Sequence, residues 1–471
     1  MLLPFDTLTE VMNLLERWDA AVMARTCKTL QQASPRILLR GTVTILSDDD
    51  LRSLHAFLSV DQRRCGFLDS LLLHLDIDDS AESLELVTSL LSLTKQLQSL
   101  FLSNSIISKP GQLLLHAMSS LSELRGLRVE GTSHEIDAFL KALRNPLVSI
   151  AAEFWDYNSW DSPVRVNALR HLSGTLEMLH ITGAGFGFYD AIPPESIFPL
   201  VAELVLVLGT YDDLDLQAIH YHFPNLQSLV IHGMSTTQAT WRSIQFLRGS
   251  LSNVYALGVI CKVEHIEFDT LALGDYLSSY QFDHDMLETV LDSARPTTLR
   301  LSLDMHCINI PSLSDVLSTA DESLRFLRLI LRWEPGFQPR TDPFIQLRSL
   351  CETLPILALE HLQLKLENFP VASDVSGDFV NLNIRKLACT AFLSFTLRTF
   401  CLESGNTPWD YPQIFERPSG ADGDFYPQRY LQLPWDVRAM ELLDASPFKL
   451  EDDEDGQDTR EDEQDISEPE L

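Results

Sequence analysis

Several short stretches carry residue types capable of chemistry. GAGFG at 183–187 follows the strand-like LHI. A dinucleotide loop needs GxGxxG opening directly into a helix, so that the phosphates meet free backbone N–H groups. The spacing here is different, and FYDAIPPES follows instead of a helix start. HYH at 220–222 sets two imidazoles at i and i+2, which a helix directs apart. No cysteine or carboxylate stands at the spacing that would complete a metal set. HDMLE at 284–288 is not HExxH, and SDDD (47–50) and DIDDS (76–80) read as acidic turns. Neither continues as a calcium loop with its Gly and closing Glu. GxSxG and phosphate-loop patterns do not occur. The seven cysteines include no CxxC pair. They read as reduced thiols, mostly buried small hydrophobes, in a cytoplasmic or nuclear protein. The expectation is a protein that is no enzyme and needs no cofactor or metal.

Binding chemistry is better represented. Arg300, Arg328, Arg332 and Lys365 fall at alternating positions of three consecutive strand-like segments, in a protein of net charge -32. Adjacent strands lie about 4.8 Å apart, so these side chains can converge on one face. Arginine grips carboxylates and phosphates in a bidentate way. The expected ligand is an acidic or phosphorylated segment of a protein partner. The competing expectation is a solvated face whose cations pair with nearby acids or with the acidic tail. Other positions assigned to this face are Leu72, His74, Phe101, Ser103, Arg128, Glu130, His180 and Thr182, then the more apolar Val205, Val207, Val230 and His232.

A repeat must position these residues. The pattern apolar, two any, apolar, one any, apolar recurs from residue 68 onward. Clear copies are LDSLLLHL (68–75), LQSLFLSN (97–104), LRGLRVEG (124–131), LEMLHITG (176–183), VAELVLVL (201–208), LQSLVIHG (226–233), LRFLRLIL (324–331) and LEHLQLKL (359–366). More degenerate ones are LVSIAAEF, LSNVYALG, PTTLRLSL and IRKLACTA, centred on Ile150, Val254, Leu299 and Leu387. VEHIEFD (263–269) is a possible hidden copy in the longest gap. Between them lie helix-period segments, among them 81–96, 134–145, 240–249, 283–294 and 343–354. Thr132 and Glu135 have capping-box spacing, with Pro146 beyond that helix. One strand–helix unit cannot bury both its faces, whereas a stack of them can. These residues resemble the leucine-rich repeat family, in the longer type with a helix in each repeat. The resemblance covers roughly residues 65 to 400. It implies an α/β solenoid with parallel strands on the concave face and helices on the convex face. The family's usual Asn appears only loosely, at Asn104.

The amino end has its own pattern. Leu8, Val11, Met12 and Leu15 share one helix face. Pro4 stands just before that helix. Asp19 is the expected N-cap of a second helix, Trp18 its staple onto Met23, and Val22, Thr26 and Leu30 its apolar row. Such a hairpin is too short to fold alone. It resembles the F-box family, through Leu3, Pro4, Asp6, Leu8, Val11, Met12, Leu15, Asp19, Val22, Cys27 and Lys28. Departures are Thr7, Ala20, Thr26, Thr29 and Leu30, the last standing where Trp is usual. The resemblance implies docking on the adaptor subunit of SCF-type cullin–RING ubiquitin ligases, and through it on the cullin. It assigns that contact to Leu3, Pro4, Leu8, Val11, Met12 and Leu15, and makes the repeats a substrate receptor. The alternative is an interaction scaffold with no ubiquitin-ligase role, or a hairpin that only caps the first repeat.

The expected domains are an F-box-like unit at 1–40, a solenoid of about 12 repeats at 41–400, a Pro- and aromatic-rich cap at 401–450 and an acidic, unfolded tail at 451–471. The tail holds 12 acids and one Arg. A protein this acidic suits neither nucleic acid nor anionic membranes. MLLPFDTLTE has no basic n-region, and no apolar run approaches the roughly 18 residues of a membrane span.

Overall fold

The computed structural model describes residues 5–15, 17–75, 81–108, 112–154, 166–183, 197–207, 213–214, 216–232, 234–235, 241, 243–258, 261–271, 280–305, 310–320, 322–333, 343–354, 357–368, 387–388, 390–391, 396–404 and 413–416. All of them belong to the first of two compact units, Met1–Gln428. The second unit, which includes the acidic tail, lies outside the described residues, as do Leu3, Pro4, DIDDS and most of GAGFG.

The described strands are β1 (Thr42–Ile45), β2 (Ser70–Leu73), β3 (Ser99–Leu102), β4 (Gly126–Gly131), β5 (Ser149–Phe154), β6 (Met178–Thr182), β7 (Glu203–Val207), β8 (Asp213–Leu214) and β9 (Ser228–His232). They continue with β10 (Met234–Ser235), β11 (Ser243–Gly249), β12 (Lys262–Leu271), β13 (Thr298–Asp304), β14 (Phe326–Arg332), β15 (His361–Glu367), β16 (Thr399–Ser404) and β17 (Gln413–Glu416). Short β8 and β10 pair with each other, and the other fifteen form one sheet in sequence order. Every neighbouring pair from β1 to β16 is parallel, and β17 returns antiparallel along β16. Parallel neighbours need a crossover between them. The described helices are α1 (Phe5–Leu14), α2 (Arg17–Ala24), α3 (Lys28–Leu38), α4 (Asp48–Val60), α5 (Ala81–Leu93), α6 (Asn104–Ile107), α7 (Gln112–Ser119), α8 (Ser133–Ala142), α9 (Leu216–His222), α10 (Leu251–Ala256), α11 (Tyr280–Ala294), α12 (Ile310–Ser318) and α13 (Pro343–Thr353). Those from α4 onward alternate with strands, so the architecture is an α/β solenoid of the leucine-rich-repeat type.

The repeat's second apolar position forms one continuous row. Leu71, Leu100, Leu127, Ile150, Leu179, Leu204, Leu229, Leu247, Ile266, Leu299, Leu327, Leu362 and Phe400 are matched strand by strand, and none is more than 3% exposed. Two expected members are absent from that row. Val254 lies on α10, and Leu387 lies on a helical stretch before β16. Their places are taken by Leu247 and Phe400, and VEHIEFD supplies Ile266 in β12. In the segment 240–249, expected as a helix, residues Ser243–Gly249 form β11. Its pattern Ile244, Leu247, Gly249 is the repeat motif with a glycine in the last apolar place. A Cβ at Gly249 would come within 2.6 Å of the Ile231 carbonyl, which explains the missing side chain. The repeats also run past residue 400, because β16 spans the expected boundary of the cap. Phe415 on β17 packs 6.1 Å from Phe400 and covers the end of the sheet's core.

Local sequence explains the helix starts. The Thr132 backbone N–H and hydroxyl both donate to Glu135, closing the expected capping box. SDDD is no turn: Ser47 caps α4 and accepts from the Asp50 N–H at 3.2 Å, with three aspartates in the first turn. Negative charge there suits the helix dipole.

The amino end departs from the expected hairpin. It is three helices, because the second predicted helix breaks at 25–27. The Thr26 hydroxyl donates to the Met23 carbonyl at 2.7 Å, and Cys27 is extended at φ -155. Asp19 sits inside the first turn of α2 instead of capping it, and Trp18 is 74% exposed instead of stapled onto Met23. Pro35 lies within α3 and cannot donate to the Gln31 carbonyl. The Ser34 hydroxyl donates to that carbonyl at 2.9 Å and keeps the helix whole.

Candidate functional site

Alternation places a second row of side chains on the sheet face away from the helices. In sequence order this row reads Thr44, Leu72, Phe101, Arg128, Ala151, His180, Val205, Val230, Arg248, Glu267, Arg300, Arg328, Gln363 and Cys401. Polar groups gather at two places on it, with half-buried Val205, Val207 and Val230 between them.

The first cluster centres on Arg128. Its Nη2 lies 3.0 Å from Glu153 Oε2 and 3.4 Å from Glu130 Oε1. Its guanidinium sits 5.0 Å over the Phe101 ring, and His74, one residue past β2, stacks alongside that ring. Glu130 and Glu153 face each other across β4 and β5. Burial, and then the Glu153 charge, push the Glu130 carboxyl up to about 7, against the opposing pull of Arg128. His180 donates to or accepts from Thr182 at 2.9 Å. Burial, then Arg128 and His232, push its pKa down to about 4, so it is neutral at pH 7.

The second cluster contains the four cations read from the sequence, and the structure does bring them onto adjacent strands. It also supplies acids the sequence reading did not name. Arg300 pairs with Glu267. Arg332 Nε lies 2.7 Å from Glu367 Oε2, and Lys365 Nζ 2.7 Å from Glu367 Oε1. Burial alone would raise the Glu367 pKa, but hydrogen bonds from Lys365 and Arg332 hold it below the usual carboxylate value. Arg328 is different. Its nearest carboxylate is Glu403 Oε2 at 3.7 Å, too long for a hydrogen bond. Glu403 Oε1 instead accepts from Gln363 Nε2 at 2.5 Å. Glu367 was legible, two residues beyond Lys365. Glu403 was not, because β16 had not been recognised as a strand.

A third surface lies on the amino-terminal helices. Met12, Ala20, Ala24, Leu30 and Ile37 form a core of their own, with Leu8 and Leu15 packed against it, separate from the solenoid's core. Met12 is fully buried there, so it offers nothing to a partner, contrary to its expected docking role. Val11 is 39% exposed, and Leu14, Trp18 and Val22 are 86%, 74% and 50% exposed. The sequence reading missed Leu14 and placed Trp18 and Val22 inside.

Burial raises the Cys65 and Cys261 thiol pKa values and pushes Cys351 up to about 12, so these cysteines are poor nucleophiles. No described helix is long and apolar enough to cross a membrane.

No family model matches the protein, and no curated protein matches it. Among solved structures it is similar to the leucine-rich repeat-containing protein LegL7 from Legionella pneumophila. The two share 14% identity over 66% of this protein and 84% of that one, with a TM-score of 0.34.

Proposed function

We propose that this protein is a non-enzymatic substrate receptor of an SCF-type ubiquitin ligase. Its amino-terminal helices dock on the ligase adaptor, and the outward sheet face holds a protein substrate. One observation carries the reading: a three-helix unit has its own small core yet leaves Leu14 and Trp18 largely, and Val11 and Val22 partly, in solvent. Apolar side chains on so small a unit are costly unless a partner covers them. None of these four residues belongs to the solenoid core, which argues against their being a mere repeat cap. The residues offered to the adaptor are then Leu8, Val11 and Leu15 from the F-box resemblance, joined by Leu14, Trp18 and Val22.

Co-expression with the SCF adaptor followed by size exclusion tests this. Wild type is expected to elute as a one-to-one complex. Val11→Asp with Leu14→Asp is expected to stay folded, since both side chains are exposed, and to lose the adaptor. A wild-type protein that elutes alone would leave the other reading, a repeat scaffold that binds partners with no ligase role.

A further inference from the structure

Arg328 is the most deeply placed cation of the second cluster, and no neighbour accepts a hydrogen bond from its Nε. The residue is 9% exposed, and its Nε is buried with no hydrogen-bond partner. Arg300 stands directly opposite on β13 and is already paired with Glu267. Glu403 is engaged by Gln363 and stays 3.7 Å away. The hydroxyl of Ser302, on the neighbouring strand one row further along, is 2% exposed and likewise unpartnered, as is Oε1 of Gln363 on the other side. Phe326 and Ile330 flank Arg328 on β14 and are both buried, so the local dielectric is low. A buried guanidinium without an acceptor is costly, and so is a buried hydroxyl without a partner. Yet 11% of the Arg328 side chain remains exposed, so the residue borders solvent although its Nε is covered.

We propose that Arg328 and Ser302 together seat one carboxylate from a protein partner, either an Asp or Glu side group or a free carboxyl terminus. This rests on reading the outward face as the partner surface. The free Nε edge of a guanidinium offers two parallel donors, which fit the two oxygens of a carboxylate. A phosphate fits less well. It brings nearly two negative charges to a single guanidinium that already has a carboxylate beside it. Glu403 already stands 3.7 Å from that guanidinium, and Glu267 and Glu367 add negative charge on the neighbouring strands. The seat therefore favours a single unit of charge over an acidic or phosphorylated cluster.

The probe is a set of four synthetic random-peptide pools passed over the immobilised full-length protein. One pool is amidated and free of acids. The second is amidated and contains Asp and Glu. The third is free of acids with a free carboxyl terminus. The fourth is amidated and carries phosphoserine as its one anion. One or both carboxylate pools should be retained roughly tenfold better than the first pool, and which of the two identifies the source. The phosphoserine pool should stay near the first. The protein's own negative charge opposes unspecific retention of acids. Arg328→Met should lose the enrichment while still co-purifying with the adaptor, so failure of the seat and failure of the ligase reading are told apart. Equal retention of all pools, no retention of any, a preference for phosphoserine, or enrichment unchanged in Arg328→Met would each overturn the proposal. Thermal unfolding supplies the second readout. If Arg328 serves a ligand, Arg328→Met leaves the midpoint unchanged or raises it, because a buried N–H donor with no acceptor has been removed. A fall of more than about 3 °C would assign Arg328 to the fold instead.

Discussion

Two carboxylates set face to face by parallel register make Glu130 the residue whose charge state should be visible in solution. Its folded pKa of about 7 lies above the ordinary 4.5. Between those two pH values the folded protein holds a proton that the unfolded one has released, so stability falls as pH rises through that window. The total is on the order of 3 kcal/mol. Glu130→Gln imitates the protonated carboxyl. It should match wild type at pH 4 and exceed it by about 3 kcal/mol at pH 8, read by urea unfolding at both pH values. Parallel profiles for the two proteins would show that Glu130 holds no such proton. His180 works in the opposite sense: it is held neutral down to about 4, so its contribution is lost as pH falls from 6.5 toward 4. That loss occurs in both proteins and cancels in the comparison. The outward placement of Arg128 and Glu130 was legible from alternation alone. The opposing Glu153 was not, because a partner across the sheet depends on register, which no single strand encodes.

Glycine and proline mark where local pattern and final element part company. Segment 240–249 has apolar residues at a spacing that fits either a helix or the repeat strand, and only packing decides between them. Gly249 settles it, because the Ile231 carbonyl lies where its Cβ would be. Gly249→Ala should therefore cost about 1–3 kcal/mol through overpacking. Gly174 has nothing within 4 Å of a Cβ, so Gly174→Ala should be close to neutral. Denaturant midpoints of the two variants check the contrast, and equal shifts would remove the steric account of β11. Pro35 misleads in the other direction. Read alone it ends a helix, but Ser34 satisfies the one carbonyl that proline strands, and α3 continues to Leu38. Strand–helix alternation itself was legible because the LxxLxL motif repeats so often. The copies that escaped were those with Gly249 or Phe400 in place of an aliphatic residue, and those read one element too late.

Among the described residues there are two separate hydrophobic cores, and whether they unfold independently is the property on which the functional reading turns. One runs from Leu39 to Phe415 through the solenoid, and the other holds α1–α3 together around five buried residues. A core that small supplies only a few kcal/mol. Leu30 is 2% exposed within it, and Leu30→Ala should cost about 2–5 kcal/mol, enough to unfold the three helices. Hydrogen exchange should then show α1–α3 unprotected, the adaptor no longer retained, and the sheet amides unchanged. Leu299 is fully buried in the middle of the solenoid row. Leu299→Ala should do the reverse, lowering protection of β12–β14 while the helices keep theirs and the adaptor stays bound. Stacked repeats share stability mainly with their neighbours, so the loss should also fade toward β1. If Leu30→Ala instead lowers sheet protection as much as Leu299→Ala does, the two cores unfold as one. The helices would then be a cap for the first repeat, and the exposed Leu14, Trp18 and Val22 would lose their standing as a docking surface.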